Sequence, residues 1–218
     1  GSATPGGWGN PEIPDLPFYT TSVADELVAY VTLGDGYIKF RVDNDWSENY
    51  GDNDNDGSLE ANGSDIPVTA GTYKILVNLS SLTYTMEPFS WGLVGDATTN
   101  GWDGPDFKLN YNSFGDDWRT VVTLNDGFVK FRFNNDWALN YGDSGLDGTM
   151  ENGGDNIPVE AGNYLVTMNL NTLTYSIESM DVWGLVGDAT SNGWDGPNQK
   201  FIPDFGINEG FYYINGAE

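Results

Sequence analysis

The sequence predicts an all-β protein built from tandem immunoglobulin-like β-sandwich modules. Three observations lead to this fold class. The chain has 29 glycines in 218 residues, and with many Asn and Asp residues they indicate short strands joined by tight turns. No stretch keeps the helical spacing of apolar residues over three turns. Long segments also return after about 90 residues, a length that suits a sandwich of about seven strands.

The repeat is visible in two segments. A glycine-rich loop that ends in tryptophan occurs at 1–8, 95–102 and 187–194. A second segment contains Lys-Phe-Arg, Asp-Trp and Asn-Tyr-Gly-Asp, and it occurs at 39–52 and 130–143. A period this long describes a small domain rather than one unit of a solenoid.

The phase of the repeat predicts the module boundaries. A strand of sequence Trp-Gly-Leu-Val-Gly opens the second copy at Trp91 and the third at Trp183, and the first copy has no counterpart. We therefore expect a fragment of a longer protein. It would hold a module at 1–88 without its first strand, a complete module at 89–180, and the start of a third, truncated module at 181–218.

Alternation of apolar and polar residues predicts the strands of each copy. The segments 27–33 and 118–124 each carry an apolar face, and the turns after them, 34–36 and 125–127, suit hairpins. In the strand after each turn, the cations are expected to face outward. These outward positions hold four of the eight cations of the chain: Lys39, Arg41, Lys130 and Arg132.

The charge balance excludes several classes of function. The chain has 33 acidic residues against 8 basic ones, a net charge of −25, and neither His nor Cys. Nucleic acids and polyanionic glycans would be repelled by this field. Ser-His and Cys-His nucleophiles, the usual zinc sites and disulfides are excluded by composition. Carboxylates, amides, hydroxyls and hard cations remain available.

The outward cations allow two interpretations. Each could pair with a nearby carboxylate and so relieve the acidic charge of its domain. Alternatively, the arginines could act as ligand donors, because a guanidinium offers five N–H groups in a fixed plane that suits adjacent sugar hydroxyls.

The tryptophans fall into three groups. Trp8, Trp102 and Trp194 lie in glycine-rich loops with few neighbours to bury them, so they are candidates to stack on a sugar ring, or else plugs that anchor the loops. Trp46 and Trp137 end the cation segment and suit a binding or a core role equally. The others lie in strand patterns and are expected in the core: Trp91, Trp118 and Trp183.

An acidic loop follows the cation segment in each copy. Residues 52–57 resemble the opening of an EF-hand calcium loop, but Gly63 stands where the closing Glu belongs. The second copy has Gly145 in place of one acid. No cofactor is required by these patterns, and calcium is the ion that the loops could hold; a solvated acidic turn is the alternative. The candidate metal ligands are Asp52, Asp54, Asp56, Asp143 and Asp147.

The motifs together resemble a known family. Trp-Gly-Leu-Val-Gly-Asp-Ala-Thr, Asn-Gly-Trp-Asp-Gly, Lys-Phe-Arg with Asn-Asp-Trp, and Asn-Tyr-Gly-Asp are similar to the starch-binding domains of SusE/SusF-type outer-membrane proteins of Bacteroidetes. The resemblance covers nearly the whole chain. It implies tandem immunoglobulin-like modules that bind glucan without hydrolysing it, at an aromatic platform with a basic residue. The matching positions are Trp8 with Lys39 and Arg41, and Trp102 with Lys130 and Arg132.

The expected function is therefore non-catalytic binding of a neutral polysaccharide or oligosaccharide, with a starch-like glucan favoured. The resemblance also implies a bacterial cell-surface location, either lipid-anchored in the outer membrane or extracellular, with a glycan importer complex as partner. The alternative is a structural stalk or adhesin whose repeats are stiffened by calcium. A glycosidase fragment has no positive support, because a repeated small sandwich suits avidity better than catalysis.

Overall fold

The computed structural model describes residues 1–10, 13–113, 115–203 and 212–213. These residues form antiparallel strands and turns, which confirms the all-β fold class. The chain divides into two compact units, Gly1–Phe89 and Ser90–Glu218. No helix that is long and apolar enough to cross a membrane occurs in these described ranges.

The first unit is a sandwich of short strands. The strands are β1 (Tyr19–Thr20), β2 (Glu26–Leu33), β3 (Gly36–Ile38), β4 (Phe40–Val42), β5 (Asp45–Gly51), β6 (Glu60–Ala61), β7 (Ile66–Val68), β8 (Gly71–Asn78) and β9 (Thr83–Pro88). One sheet has the order β1-β2-β8-β9. The opposite layer consists of β3 paired with β7, and of β4, β5 and β6 in that order.

The second unit repeats this plan. Its strands are β10 (Trp91–Val94), β11 (Phe107–Lys108), β12 (Asn110–Asn112), β13 (Asp117–Leu124), β14 (Gly127–Phe133), β15 (Asp136–Gly142), β16 (Glu151–Asn152), β17 (Ile157–Val159), β18 (Gly162–Asn169) and β19 (Thr174–Ser179). One sheet has the order β12-β13-β18-β19. The other has the order β11-β10-β14-β15-β16, with β17 also paired to β14.

The core of each unit lies between its two layers. In the first unit the buried cluster joins Ala29 of β2, Ile75 of β8, Ile38 of β3 and Ile66 of β7. In the second unit every second residue of β13 from Trp118 is buried, as the alternation predicts. Removing this apolar surface from water, at roughly 25 cal/mol per Å², is the main favourable contribution to folding.

The turns at 34–36 and 125–127 are not the hairpins that the sequence predicts. β2 pairs with β8, and β3 pairs with β7, so the first turn carries the chain from one sheet to the other. The Asp35 carboxylate supports this crossing by accepting a hydrogen bond from the Ala70 N–H. The later pairs, β8 with β9 and β18 with β19, are the hairpins that the sequence predicts.

A different hairpin joins β4 to β5 and β14 to β15. The two residues of each turn have positive φ angles: Asp43 52°, Asn44 58°, Asn134 50° and Asn135 55°. Two successive positive φ angles characterise a type I′ turn, and Asn and Asp tolerate them better than most residues. The turn places Trp46 and Trp137 near the start of the returning strand.

The predicted third module is described in part. The strands are β20 (Gly184–Leu185), β21 (Gln199–Lys200), β22 (Ile202–Pro203) and β23 (Tyr212–Tyr213), and residues 204–211 and 214–218 lie outside the described residues. Trp183 is 78% exposed, so its predicted core position is wrong. Its counterpart Trp91 is buried because it packs against Phe133 and Tyr141.

Candidate functional site

The glycine-tryptophan loop has a defined shape in both units. In the second unit the Thr98 hydroxyl donates to the carbonyl of Gly95, which opens the loop, and the Gly101 N–H donates to the Thr98 carbonyl. Gly101 has a φ of 63°, a left-handed conformation that glycine adopts without strain. Thr4 and Gly7 make the same contacts in the first unit. This turn sets the direction in which the following tryptophan leaves the loop.

The loop and the β4–β5 or β14–β15 hairpin bring two tryptophans together in each unit. The rings of Trp8 and Trp46 have centroids 5.9 Å apart and planes inclined by 37°. The rings of Trp102 and Trp137 have centroids 6.0 Å apart and the same inclination. We call these pairs the first-unit and second-unit platforms. The same geometry is thus formed by both copies of the sequence.

The platforms lie at the protein surface. Trp8, Trp46 and Trp137 are 36%, 41% and 44% exposed, while Trp102 is half-buried. A core pair of aromatics would be buried on all sides, as Trp91 is. The exposed indole surface is therefore available to a ligand.

An arginine covers part of each platform. The Cζ atom of Arg132 lies 4.6 Å from the centroid of the Trp137 ring, and Cζ of Arg41 lies 4.7 Å from that of Trp46. The prediction that these arginines face outward is wrong. The side chains of Arg132 and Arg41 are only 3% and 11% exposed. In the second unit, Asp106, the Trp102 carbonyl and the Trp137 ring lie around the guanidinium of Arg132.

Each arginine is paired with an aspartate that the sequence analysis did not single out. Asp106 accepts hydrogen bonds from Nε and Nη2 of Arg132, the shortest at 2.5 Å. Asp15 accepts from Nε and Nη2 of Arg41 at 2.6 and 2.8 Å, and this hydrogen bond raises the pKa of Arg41. Two-point pairs of this kind fix orientation as well as adding energy. A Pro-Asp dipeptide in each copy, at 14–15 and 105–106, was the available signal.

An asparagine of the Asn-Tyr-Gly-Asp motif also supports each platform. Nδ2 of Asn49 donates to the carbonyl of Trp46 at 2.9 Å, and Nδ2 of Asn140 donates to the carbonyl of Trp137 at 3.0 Å. Asn140 lies directly across the strand pair from Arg132. The repeated motif therefore stabilises the backbone that carries the platform.

The two predicted lysines are not part of these contacts. Lys130 is 9% exposed, which contradicts its predicted outward position, and Lys39 is half-buried. Burial lowers the pKa of Lys130, and the charge of Asp155 partly offsets that effect. Their proposed role as sugar donors stays a prediction.

The first residue of each acidic loop is a buried hydrogen-bond acceptor. Asp52 is 1% exposed and accepts from the N–H groups of Asp54, Asp56 and Gly57, and from the Tyr84 hydroxyl. These bonds occupy both carboxylate oxygens. The loop thus closes around its own carboxylate, which explains why this Asp is buried.

The second-unit loop has the same arrangement with one difference. Asp143 accepts from the Gly148 N–H and the Tyr175 hydroxyl through one oxygen, and its other oxygen is buried without a hydrogen-bond partner among the described residues. The Asp147 carboxylate accepts hydrogen bonds from the N–H and the hydroxyl of Thr149. No group of three or more metal-ligating side chains converges in the part of the chain that the structure describes. Calcium binding by the loops stays a prediction.

No protein-family model and no curated protein matches the chain. The crystal structure of SusF from Bacteroides thetaiotaomicron is similar, with 19% sequence identity and a TM-score of 0.32. The match covers 85% of this chain and 50% of that one, so the chain spans about half the length of SusF. This likeness concerns the fold alone, and the role of the platforms rests on their own geometry.

Proposed function

We propose that each unit binds a neutral glycan on its tryptophan platform, without catalysis. The observation that carries the proposal is the double occurrence of one geometry: two surface indoles about 6 Å apart, inclined by 37°. An exposed indole combines a large apolar face with a polar N–H, and that combination suits the apolar face and hydroxyl rim of a sugar ring. Two neighbouring rings would contact two successive sugars.

Electrostatics support a neutral ligand. The net charge of −25 disfavours uronic acids, sulfated sugars and nucleic acids. Asp106, the carboxylate paired with the platform arginine Arg132, has a side chain that is 3% exposed. It is therefore occupied in holding the arginine, whereas a glycosidase needs two carboxylates that face the scissile bond.

The inclination of the rings favours a curved glucan of the starch type. A flat, ribbon-like chain presents its sugar faces in nearly parallel planes, whereas a helical chain turns each face relative to the next. Platforms inclined by 37° match the second case. The motif resemblance described above adds a cell-surface location on a bacterial outer membrane, beside a glycan importer.

Calorimetric titration of the whole chain with maltoheptaose tests the proposal. We expect one binding site per unit. Trp46→Ala and Trp137→Ala should each weaken one site by roughly 5- to 150-fold, since stacking on one aromatic is worth about 1–3 kcal/mol, and the double variant should be weakened at both sites. Phe128→Ala is the matched control, because Phe128 is 44% exposed, like Trp137, and lies outside the platform.

Parallel titrations with cellohexaose and laminarihexaose test the class of glucan. Preference for maltoheptaose supports the curved-chain assignment. An undiminished affinity in the double tryptophan variant would contradict the platform as the site.

A further inference from the structure

The role of the platform arginines differs from the one expected for a sugar donor. We propose that Asp106 and Asp15 are positioning residues, which act through Arg132 and Arg41 to hold the platform tryptophans at their inclination. The inference deepens the proposed function, on which it rests for its ligand. It assigns the arginines to the protein side of the platform rather than to the glycan.

The hydrogen bonds of Arg132 support this assignment. Its Nε and Nη2 groups donate to Asp106, and Nη1 donates to the carbonyl of Trp102 at 3.4 Å. Its Cζ atom also lies over the ring of Trp137, 4.6 Å from the ring centroid. One side chain therefore contacts both tryptophans of the platform, and its orientation is fixed by Asp106.

Burial supports the same conclusion. The side chains of Arg132 and Asp106 are each 3% exposed, so a glycan on the surface has little access to the remaining N–H groups. Gly104 leaves room for the pair, because a Cβ atom at this position would come within 2.8 Å of Nη2 of Arg132. The lack of a side chain at Gly104 therefore leaves space for the guanidinium of Arg132.

The first unit forms the equivalent pair in a different setting. The segment between Trp8 and Asp15 is longer than the one between Trp102 and Asp106. The aspartate–arginine pair is nevertheless present, with Arg41 at nearly the same distance from its tryptophan ring as Arg132. Here the pair is more exposed, since the side chain of Asp15 is 37% exposed. In addition, Nε1 of Trp46 donates a hydrogen bond to the Trp8 carbonyl.

Removal of the aspartate separates the two roles of the arginine. If the arginine donated directly to sugar, loss of the aspartate would free its N–H groups and leave affinity equal or higher. If the aspartate positions the platform, the same change loosens the inclination of the rings and weakens binding. The first unit suits this experiment because Asp15 and Arg41 are more exposed and can be hydrated after the change.

The experiment uses the whole chain with the second-unit platform disabled by Trp137→Ala. Into this background we introduce Asp15→Ala and measure exciton-coupled circular dichroism of the remaining platform, thermal melting, and maltoheptaose affinity. We expect the couplet to fall by more than half and the affinity by about tenfold, since pre-organisation of the site is lost. The converse pair, Asp106→Asn in a Trp46→Ala background, repeats the test in the second unit.

The control is Asp117→Asn in the Trp46→Ala background. Asp117 forms a two-point pair with Arg119 on the opposite sheet, so it reproduces the loss of an ion pair without touching the platform. It should leave the couplet and the affinity unchanged. An unchanged couplet in Asp15→Ala, or equal or tighter binding, would overturn the proposal. If Asp15→Ala reduces the couplet but the parent chain binds no glycan, the positioning role of the aspartate stands and only the proposed function is overturned.

Discussion

Gly92 lies so close to Asp106 that a Cβ atom on the glycine would stand 2.4 Å from the Cβ of the aspartate. Gly92 is the glycine of the Trp-Gly-Leu-Val-Gly strand, and it pairs directly with Arg132 on the neighbouring strand. A glycine at this point therefore makes room for the buried ion pair beneath the second-unit platform. This relationship connects the opening motif of the repeat to the candidate site.

Gly92→Ala is expected to destabilise the second unit. The new methyl group meets the start of a side chain rather than its flexible end, so backbone must move, at a cost of about 1–3 kcal/mol. Urea unfolding followed by fluorescence measures the change. Gly145→Ala is the control, because its nearest neighbour is the movable Asp147 carboxylate at 3.3 Å. Equal stability of the two variants would show that the ion pair does not need this space.

The acidic loops should make stability depend on acid pH. Burial raises the pKa of Asp143, but the hydrogen bonds from Gly148, Tyr175 and the neighbouring backbone outweigh it and lower the pKa below its usual value. A depressed pKa gives stability that is present above the unfolded-state value of about 3.9 and is lost as the pH falls through the folded-state value. Urea unfolding curves recorded at intervals of about one pH unit, from pH 6 down to pH 2, measure this loss through the urea concentration at the midpoint.

Tyr175, which donates a hydrogen bond to Asp143, should make stability depend on alkaline pH as well. Burial and the bond to Asp143 raise the pKa of Tyr175, so its contribution is present below the unfolded-state value of about 10 and is lost as the pH rises further. Tyr175→Phe should cost about 1–2 kcal/mol at neutral pH and flatten the alkaline limb. Tyr37→Phe, at an exposed tyrosine, is the control. Identical alkaline profiles for both variants would contradict this assignment.

Removal of calcium is expected to leave the melting temperature unchanged. Both oxygens of Asp52 accept hydrogen bonds from the loop itself, and no group of three or more metal-ligating side chains converges in the described residues, whereas calcium takes 6–8 oxygen ligands. Scanning calorimetry with excess chelator and with added calcium checks this. A fall of several degrees in chelator, reversed by calcium, would instead support the stiffened stalk, since a ligand of the folded state stabilises it by mass action.

Two platforms on one chain predict avidity for polymers. Once one platform holds a long glucan, the contact with the second platform is intramolecular. Amylose should therefore bind more tightly than maltoheptaose, and by more than the larger number of binding positions on the polymer explains. Trp46→Ala should remove most of this advantage and leave the affinity of the other site for maltoheptaose unchanged. Affinity electrophoresis and calorimetry give the two values. An undiminished affinity for amylose in the single variant would show that the platforms do not cooperate.

The fold and half of the site could be predicted from local patterns. Alternation in 118–124 predicted the buried face of β13, and the glycine before Trp8 indicated an exposed indole. These features depend on residues that are neighbours in sequence. The type I′ turn before Trp137 also has a local signal, the dipeptide of Asn134 and Asn135.

The remaining features depend on contacts between distant segments. Arg132 and Asp106 are separated by 26 positions, and no periodicity links them. The cation strand was expected to have one exposed face because its charges alternate with apolar residues. The arginine is covered instead, because Asp106 and the Trp102 carbonyl accept its hydrogen bonds and the indole of Trp137 lies over the guanidinium. An aspartate that neutralises the arginine makes this burial tolerable.

The indole N–H signals of a ¹⁵N-labelled chain, titrated with maltoheptaose, test the central claim most directly. Each of the eight tryptophans gives its own signal, assigned by single Trp→Phe variants. If the platforms bind glycan, the platform signals, those of Trp8, Trp46, Trp102 and Trp137, shift on titration. The signals of the buried Trp91 and Trp118 then stay in place. A titration that leaves all four platform signals unmoved while the chain binds glycan would contradict the account.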